Sequence, residues 1–145
     1  MNKILVALDG SPRERRILDA AAGIARKMGA KLVLFRAIGI PRGLPIAALA
    51  MAPNEIEQLL EREAKSGLDE LAGSVPGGLV EKTVVHVGSP WDAICTAAIA
   101  EDVDAIVLGS HGYDVLDRLT GTTAAKVVNH ADRTVIVVRA PERLA

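Results

Sequence analysis

The residues whose chemistry and arrangement best suit ligand binding are glycines and threonines in the last third of the chain. Gly109-Ser110-His111-Gly112 is followed, after eight residues, by Gly121-Thr122-Thr123. Glycines expose backbone N–H groups, and a helix that begins near Thr122 adds its own free N–H groups and the positive end of its dipole. Such a combination is suited to anions, and to phosphates in particular. The alternative is that these glycines only form tight turns.

Five short apolar runs rich in branched residues predict strands that are buried on both faces. They span residues 3–9, 31–38, 79–87, 105–108 and 134–139. Helical patterns separate them, the last from about 122 to 130. Because strands alternate with helices, the sequence predicts one α/β domain over residues 1–145, with a five-stranded parallel sheet and helices on both faces.

Helix-start and helix-stop signals occur after several of the strands. Ser11 is predicted to cap the first helix, with Glu14 completing a capping box, and Gly29 to end it. Asn54 is predicted to cap the second helix. Gly88-Ser89-Pro90 has the same Gly-Ser-Pro order as the residues before the first helix, and it is predicted to begin the third helix.

The predicted sheet brings the candidate residues to one edge. In open parallel sheets, ligands bind beyond the carboxyl ends of the strands, where the strand order reverses. Asp9 ends the first strand and Gly109 follows the fourth. We therefore expect Asp9 to face the glycine-rich segment across a crevice.

These features together resemble the universal stress protein family. Asp9, Gly88-Ser89-Pro90, residues 104–112 and Gly121-Thr122-Thr123 occur in the family's order, followed by a valine-rich last strand, and the resemblance covers residues 3–139. It implies an adenine nucleotide alpha hydrolase-like fold with strand order 3-2-1-4-5. The reversal then lies between the first and fourth strands.

ATP-binding members of that family carry the motif Gly-x2-Gly-x9-Gly-Ser/Thr. Gly109, Gly112, Gly121 and Thr122 match it, with Thr123 next, but the spacer 113–120 holds eight residues and not nine. The resemblance implies ATP, or ADP or AMP, as the cofactor, with Mg²⁺ held through the phosphates and no metal site of the protein's own.

The resemblance also implies roles for individual residues. Asp9 is expected near the ribose and the metal-bound phosphates, and the backbone at Ala37 is expected to hydrogen-bond to adenine. The whole expected nucleotide-binding set is Ala7, Asp9, Ala37, Leu108, Gly109, His111, Gly112, Gly121, Thr122 and Thr123.

Other phosphate-binding and catalytic motifs do not fit. A dinucleotide fingerprint needs Gly-x-Gly-x-x-Gly after the first strand, where Asp9-Gly10-Ser11-Pro12 stands. A P-loop needs a lysine after its second glycine, and none is present. A serine hydrolase needs Gly-x-Ser-x-Gly, which Gly109-Ser110-His111-Gly112 does not match. No residue is predicted to be catalytic, although slow ATP hydrolysis stays an alternative.

Composition narrows the classes of partner. The 145 residues include 17 Lys plus Arg and 18 Asp plus Glu, giving a net charge of −1, and aromatic residues make up 2%. A basic or base-stacking surface for nucleic acid is therefore not expected. The single cysteine, Cys95, indicates a reducing compartment, and the apolar stretch 33–52 is too interrupted to span a membrane. We expect a cytoplasmic location.

The last strand and one loop raise the question of partners. As an edge strand, Val135, Ile136, Val137 and Val138 leave unpaired backbone groups beside apolar side chains, which predicts a homodimer through this strand. Family members commonly dimerise this way. The apolar residues 44–51 are expected to form a short helical turn packed on the domain. A lid near the adenine and a partner surface are the alternatives.

Two functions remain open at this point. The first is a nucleotide-dependent stress-response regulator that binds adenine nucleotide. The second is a nucleotide-free dimeric interaction protein in which the glycine-rich segment is only a turn.

Overall fold

A computed structural model describes residues 1–39, 53–110 and 122–139. Strands and helices alternate along it. Their bounds are β1 Lys3–Ala7, α1 Glu14–Met28, β2 Lys31–Ile38, α2 Pro53–Gly73, β3 Val80–Val87, α3 Pro90–Ala100, β4 Ala105–Gly109, α4 Thr123–His130 and β5 Thr134–Val138. The predicted residues 44–51 and 113–120 lie outside the described residues.

The strands form one parallel sheet in the order β3-β2-β1-β4-β5. The predicted α/β fold class is confirmed. β1 lies at the centre, and its Ile4 pairs with Leu32 of β2 on one side and Ala105 of β4 on the other. β2 and β3 lie on one side of β1, and β4 and β5 lie on the other. The strand order therefore reverses between β1 and β4.

Alternation along the strands divides the core into two layers. Ile4 and Val6 of β1 pack with α1 and α2, whereas Leu5 packs on the opposite face with α3 and α4. All three residues are fully buried. The runs of apolar residues that predicted the strands thus supply both layers of the core.

The start of α1 differs from the prediction. The helix begins at Glu14 with Arg13 as its N-cap, so the predicted capping box at Ser11 is wrong. The Ser11 hydroxyl accepts a hydrogen bond from the N–H of Arg13 at 3.2 Å, and the Glu14 carboxylate binds Arg36 instead of turning back to the helix start. The Glu14 carboxylate thus bonds to Arg36 of β2 and not to the backbone at the start of its own helix.

The other helix ends agree with the sequence to different degrees. Gly29 ends α1 in the left-handed conformation, with φ of +68°, as predicted. The predicted Asn54 cap is wrong, because α2 already begins at Pro53. Ser89 is the N-cap residue of α3, but its side chain accepts no capping hydrogen bond. Within the described residues, no helix has the length and apolarity to cross a membrane.

Candidate functional site

The turn after β1 carries the exposed carboxylate of Asp9. Asp9 Oδ1 accepts a hydrogen bond from the N–H of Ser11 at 3.0 Å, which closes a tight turn over Gly10. Gly10 has a φ of +80°, a conformation that favours glycine. The turn uses one carboxylate oxygen, and a carboxylate accepts at both. Asp9 is therefore held by the turn and keeps the capacity to accept from a ligand.

The end of β2 extends beyond the end of β1. The N–H of Leu8 donates to the carbonyl of Phe35 at 2.8 Å, and within the described backbone β1 pairs no further along β2. Successive strand residues direct their backbone groups to opposite neighbours. Ala37 therefore directs its N–H and C=O the same way as Phe35, above the end of β1. Ile38 points the other way and accepts from Gly88 at 2.9 Å.

On the other side of β1, the end of β4 also extends beyond the last residue that pairs with β1. Val6 and Val107 form the last β1–β4 pair, and the N–H of Ser110 donates to the carbonyl of Val138 in β5 at 3.0 Å. Since backbone direction alternates, Gly109 faces β1 just beyond its last pair. Gly109 and Ala37 thus flank one space above the end of β1.

Gly109 also has a packing role. A Cβ added there would lie 2.6 Å from Cδ1 of Ile17 in α1. The absence of a side chain therefore lets α1 pack closely on β4. This need would select glycine at position 109 with or without a ligand.

The helix that follows β4 begins as the sequence predicts. Thr122 is its N-cap, and its Oγ1 accepts from the N–H of Ala125 at 3.1 Å. Thr123 is the first residue of α4. The first N–H groups of a helix have no acceptor within that helix, so this end can bind an anion.

The predicted site residues fall into three groups. Ala7, Asp9, Ala37, Leu108 and Gly109 lie at the carboxyl ends of three neighbouring strands and in the turn after β1. Thr122 and Thr123 begin α4. His111, Gly112 and Gly121 lie outside the described residues, and their part in the site stays a prediction.

Arg36 of β2 is not among the residues that the sequence predicted for the site. Its Nη2 donates to Glu14 Oε1 at 2.6 Å, and both side chains are only 17% exposed. Its Nε donates to the carbonyl of Leu8 at 3.4 Å. A charged residue inside the apolar run 32–38 was the available signal, because a half-buried charge needs partners.

The shifted pKa values among the described residues have structural causes away from this edge. Burial raises the pKa of the Cys95 thiol. Hydrogen bonds from the N–H groups of Asn2 and Lys3 lower the pKa of Asp104 and tie down the start of the chain. Among the residues that the structure describes, no three His, Cys, Asp or Glu side chains are grouped to hold a metal ion.

Comparison with known proteins identifies relatives of this chain. The model of the universal stress protein family matches residues 1–139. A universal stress protein encoded in the QAH/OAS sulfhydrylase 3′ region of Thermus aquaticus is 31% identical over 140 residues, covering 94% of this chain and 97% of the relative.

Two solved structures extend the comparison. Hypothetical protein MJ0577 of Methanocaldococcus jannaschii shares the fold, with a TM-score of 0.80, 24% identity and 98% coverage of both chains. A universal stress protein in complex with cAMP has a TM-score of 0.65 and 25% identity, covering 97% of this chain and 98% of its own. Since the family model spans nearly all of the sequence and a relative of 31% identity covers 94% of it, this chain belongs to the universal stress protein family.

Proposed function

We propose that this protein binds an adenine nucleotide, ATP foremost, above the carboxyl ends of β1, β2 and β4, and acts as a nucleotide-dependent regulator in a stress response. The observation that carries the proposal is the space above β1, into which Ala37 and Gly109 direct backbone groups from opposite sides. The related structure in complex with cAMP supports an adenine nucleotide as the ligand.

The adenine base fits the end of β2. Ala37 presents one backbone donor and one acceptor side by side, and adenine offers an acceptor ring nitrogen beside its donor amino group. Ala7 and Ala37 pack against the α3–α4 layer that contains the buried Leu108, so the nearby walls are aliphatic. With so few aromatic residues in the chain, the base would be held by backbone hydrogen bonds and apolar contact, not by stacking.

The ribose and phosphates fit the other side of the space. Asp9 would accept from ribose hydroxyls and lie near the phosphates. The N–H groups at the start of α4, with Thr122 and Thr123, would bind the phosphates, and His111, Gly112 and Gly121 would complete that loop. Mg²⁺ prefers oxygen ligands and commonly binds through nucleotide phosphates and one or two carboxylates, which the single Asp9 carboxylate suits.

Calorimetry tests the proposal directly, with ATP, ADP, AMP and cAMP titrated with and without Mg²⁺. At least one nucleotide should bind with a Kd below about 1 mM, which corresponds to about −4.1 kcal/mol. Asp9→Ala should weaken binding about tenfold or more, because it removes a charged acceptor. The control is Asp19→Ala, since Asp19 is an exposed carboxylate on α1 whose hydrogen bond is to Arg15. If all four nucleotides bind more weakly than about 1 mM, the proposal fails.

A nucleotide-free interaction protein is the second candidate, and the close packing of Gly109 on Ile17 favours it. That contact explains one glycine of the motif without a ligand. Gly121→Val separates the two candidates. It should abolish nucleotide binding and leave folding nearly intact under the first, and change only stability under the second.

We also propose a homodimer through β5. This strand is at the edge of the sheet, and its Val135, Ile136, Val137 and Val138 are all half-buried in the monomer. The Val138 carbonyl accepts from Ser110, so the backbone of Val137 points away from β4 and can pair with a second copy.

Sedimentation measures the oligomeric state. The wild-type chain should be a dimer. Val137→Pro should give a monomer, because proline removes the outward N–H, and Val137→Ala should stay dimeric because it retains that donor. A monomeric wild type would refute the β5 dimer.

A further inference from the structure

Arg36 lies half-buried among three elements near the carboxyl end of the sheet. Its Nη2 donates to Glu14 of α1 at 2.6 Å, and its Nε donates at 3.4 Å to the carbonyl of Leu8, just before Asp9. On α2, a Cβ added at Gly67 would lie 3.3 Å from Nη1. The guanidinium therefore sits against the β1–α1 turn, α1 and α2 together.

Two glycines make room for this side chain. Besides Gly67, Gly10 lies close enough that an added Cβ would be 3.7 Å from Cζ of Arg36. Gly10 is the central residue of the turn that Asp9 closes. The guanidinium thus lies against the backbone of that turn, so a shift of the guanidinium would shift the turn.

The neighbour of Arg36 supplies the second half of the argument. Ala37 directs its backbone above the end of β1, where the base is proposed to bind. Arg36 is therefore bonded along the backbone to Ala37, where the base is proposed to bind, and its side chain contacts the turn that carries Asp9. The side-chain bonds of Arg36 therefore link these two parts of the site, beside the backbone hydrogen bond from Leu8 to Phe35.

We propose that Arg36 is a positioning residue for the nucleotide site, holding the Asp9 turn at the correct distance from the end of β2. The inference rests on the proposed nucleotide function. Arginine suits the role because its planar, rigid group can serve a carboxylate and a carbonyl at the same time, whereas lysine presents a single mobile charge. The low exposure of Arg36 and Glu14 keeps water from replacing these bonds.

The test measures ATP affinity by calorimetry and stability by urea unfolding. Arg36→Met should weaken ATP binding about tenfold, because a misplaced binding group loses much of its interaction. Arg36→Lys should recover only part of the affinity. In an Asp9→Ala background, Arg36→Met should change the affinity by less than about twofold, since the group it positions is gone.

Arg15→Met is the matched control. Arg15 also joins α1 to another part of the chain, through a 2.6 Å hydrogen bond from Nη1 to Ser74 Oγ, and its Nε bonds to Asp19. Removing these bonds should leave ATP affinity at the wild-type value. If Arg15→Met weakens binding as much as Arg36→Met, the effect is general loosening and the inference is wrong.

Gly67→Ala provides a second variant in case Arg36→Met folds poorly. The added methyl encroaches on Nη1, while alanine favours the helix, so the fold should be retained and the affinity should fall severalfold. If Asp9→Ala weakens binding but Arg36→Met and Gly67→Ala bind ATP like the wild type, the inference is overturned and the proposed function stands. Equal losses from Arg36→Met with and without Asp9 would also overturn it. A wild-type protein that binds no nucleotide would overturn both.

Discussion

Gly109→Ala puts the close packing of α1 on β4 to the test. The new Cβ would lie 2.6 Å from Cδ1 and 3.4 Å from Cγ1 of Ile17, a side chain that is only 5% exposed. Overpacking of this kind costs about 1–3 kcal/mol. Gly109 has no positive φ, so alanine should also stabilise by about 0.4–1 kcal/mol through the unfolded state. We expect a net loss of about 1 kcal/mol.

Ile17→Val removes the atom that causes the conflict. Alone it should cost about 0.5–1.5 kcal/mol. In the Ile17→Val background, Gly109→Ala should be neutral or slightly stabilising, so the sign of its effect changes. Urea unfolding of the four proteins, with unchanged m-values, measures this coupling. Equal destabilisation by Gly109→Ala in both backgrounds would refute the steric explanation.

The double variant also bears on the ligand. If position 109 needs glycine only for packing on Ile17, the double variant should bind ATP like the Ile17→Val protein. If the backbone of Gly109 must approach a phosphate closely, ATP binding should be weakened although stability is regained. Calorimetry on these two proteins separates the packing role from the binding role.

Two further predictions concern the cap of α4 and the carboxylate that holds the start of the chain. Thr122→Ala should lower the free energy of unfolding by about 1 kcal/mol, and Thr122→Ser by much less, because only alanine leaves the N–H of Ala125 without its cap; equal losses in urea unfolding would contradict this. Asp104→Asn should destabilise the protein most at neutral pH. The N–H groups of Asn2 and Lys3 lower the pKa of Asp104 in the folded state, so its contribution is present above the unfolded value and is lost as the pH falls through the folded one. Unfolding free energies of both proteins should therefore converge in acid, and a constant difference would contradict the assignment.

The strand ends and the end of α1 were predicted from sequence because they depend on residues close together in the chain. The strands lie within two residues of their predicted ends because their branched apolar residues are bounded by turn residues. The predicted burial on both faces is confirmed for β1, β2 and β4 and is wrong for β3 and β5, whose residues are at most half-buried. Gly29 ends α1 as predicted because its left-handed conformation depends only on its own helix. The capping box failed since Glu14 bonds to Arg36, 22 positions away.

The candidate site shows the same division. Its placement at the strand ends follows from the alternation of strands and helices, which sequence reveals. The contact between Gly109 and Ile17 joins residues far apart in the chain, so a motif of glycines cannot reveal that one of them is required by packing. The direction of the Ala37 backbone likewise depends on where β1 ends its pairing, and that is a property of the assembled sheet.

The central place of β1 has a consequence for how the chain is made. Its carboxyl-terminal partner is synthesised late: Asn2 and Asp104, which are joined by a hydrogen bond, are 102 positions apart. Such distant pairing slows folding. Until β4 emerges, a nascent chain that has folded β1 to β3 keeps one edge of β1 open beside apolar surface, a species prone to associate. The segment proposed to bind the phosphates therefore belongs to the part of the chain whose synthesis closes the sheet.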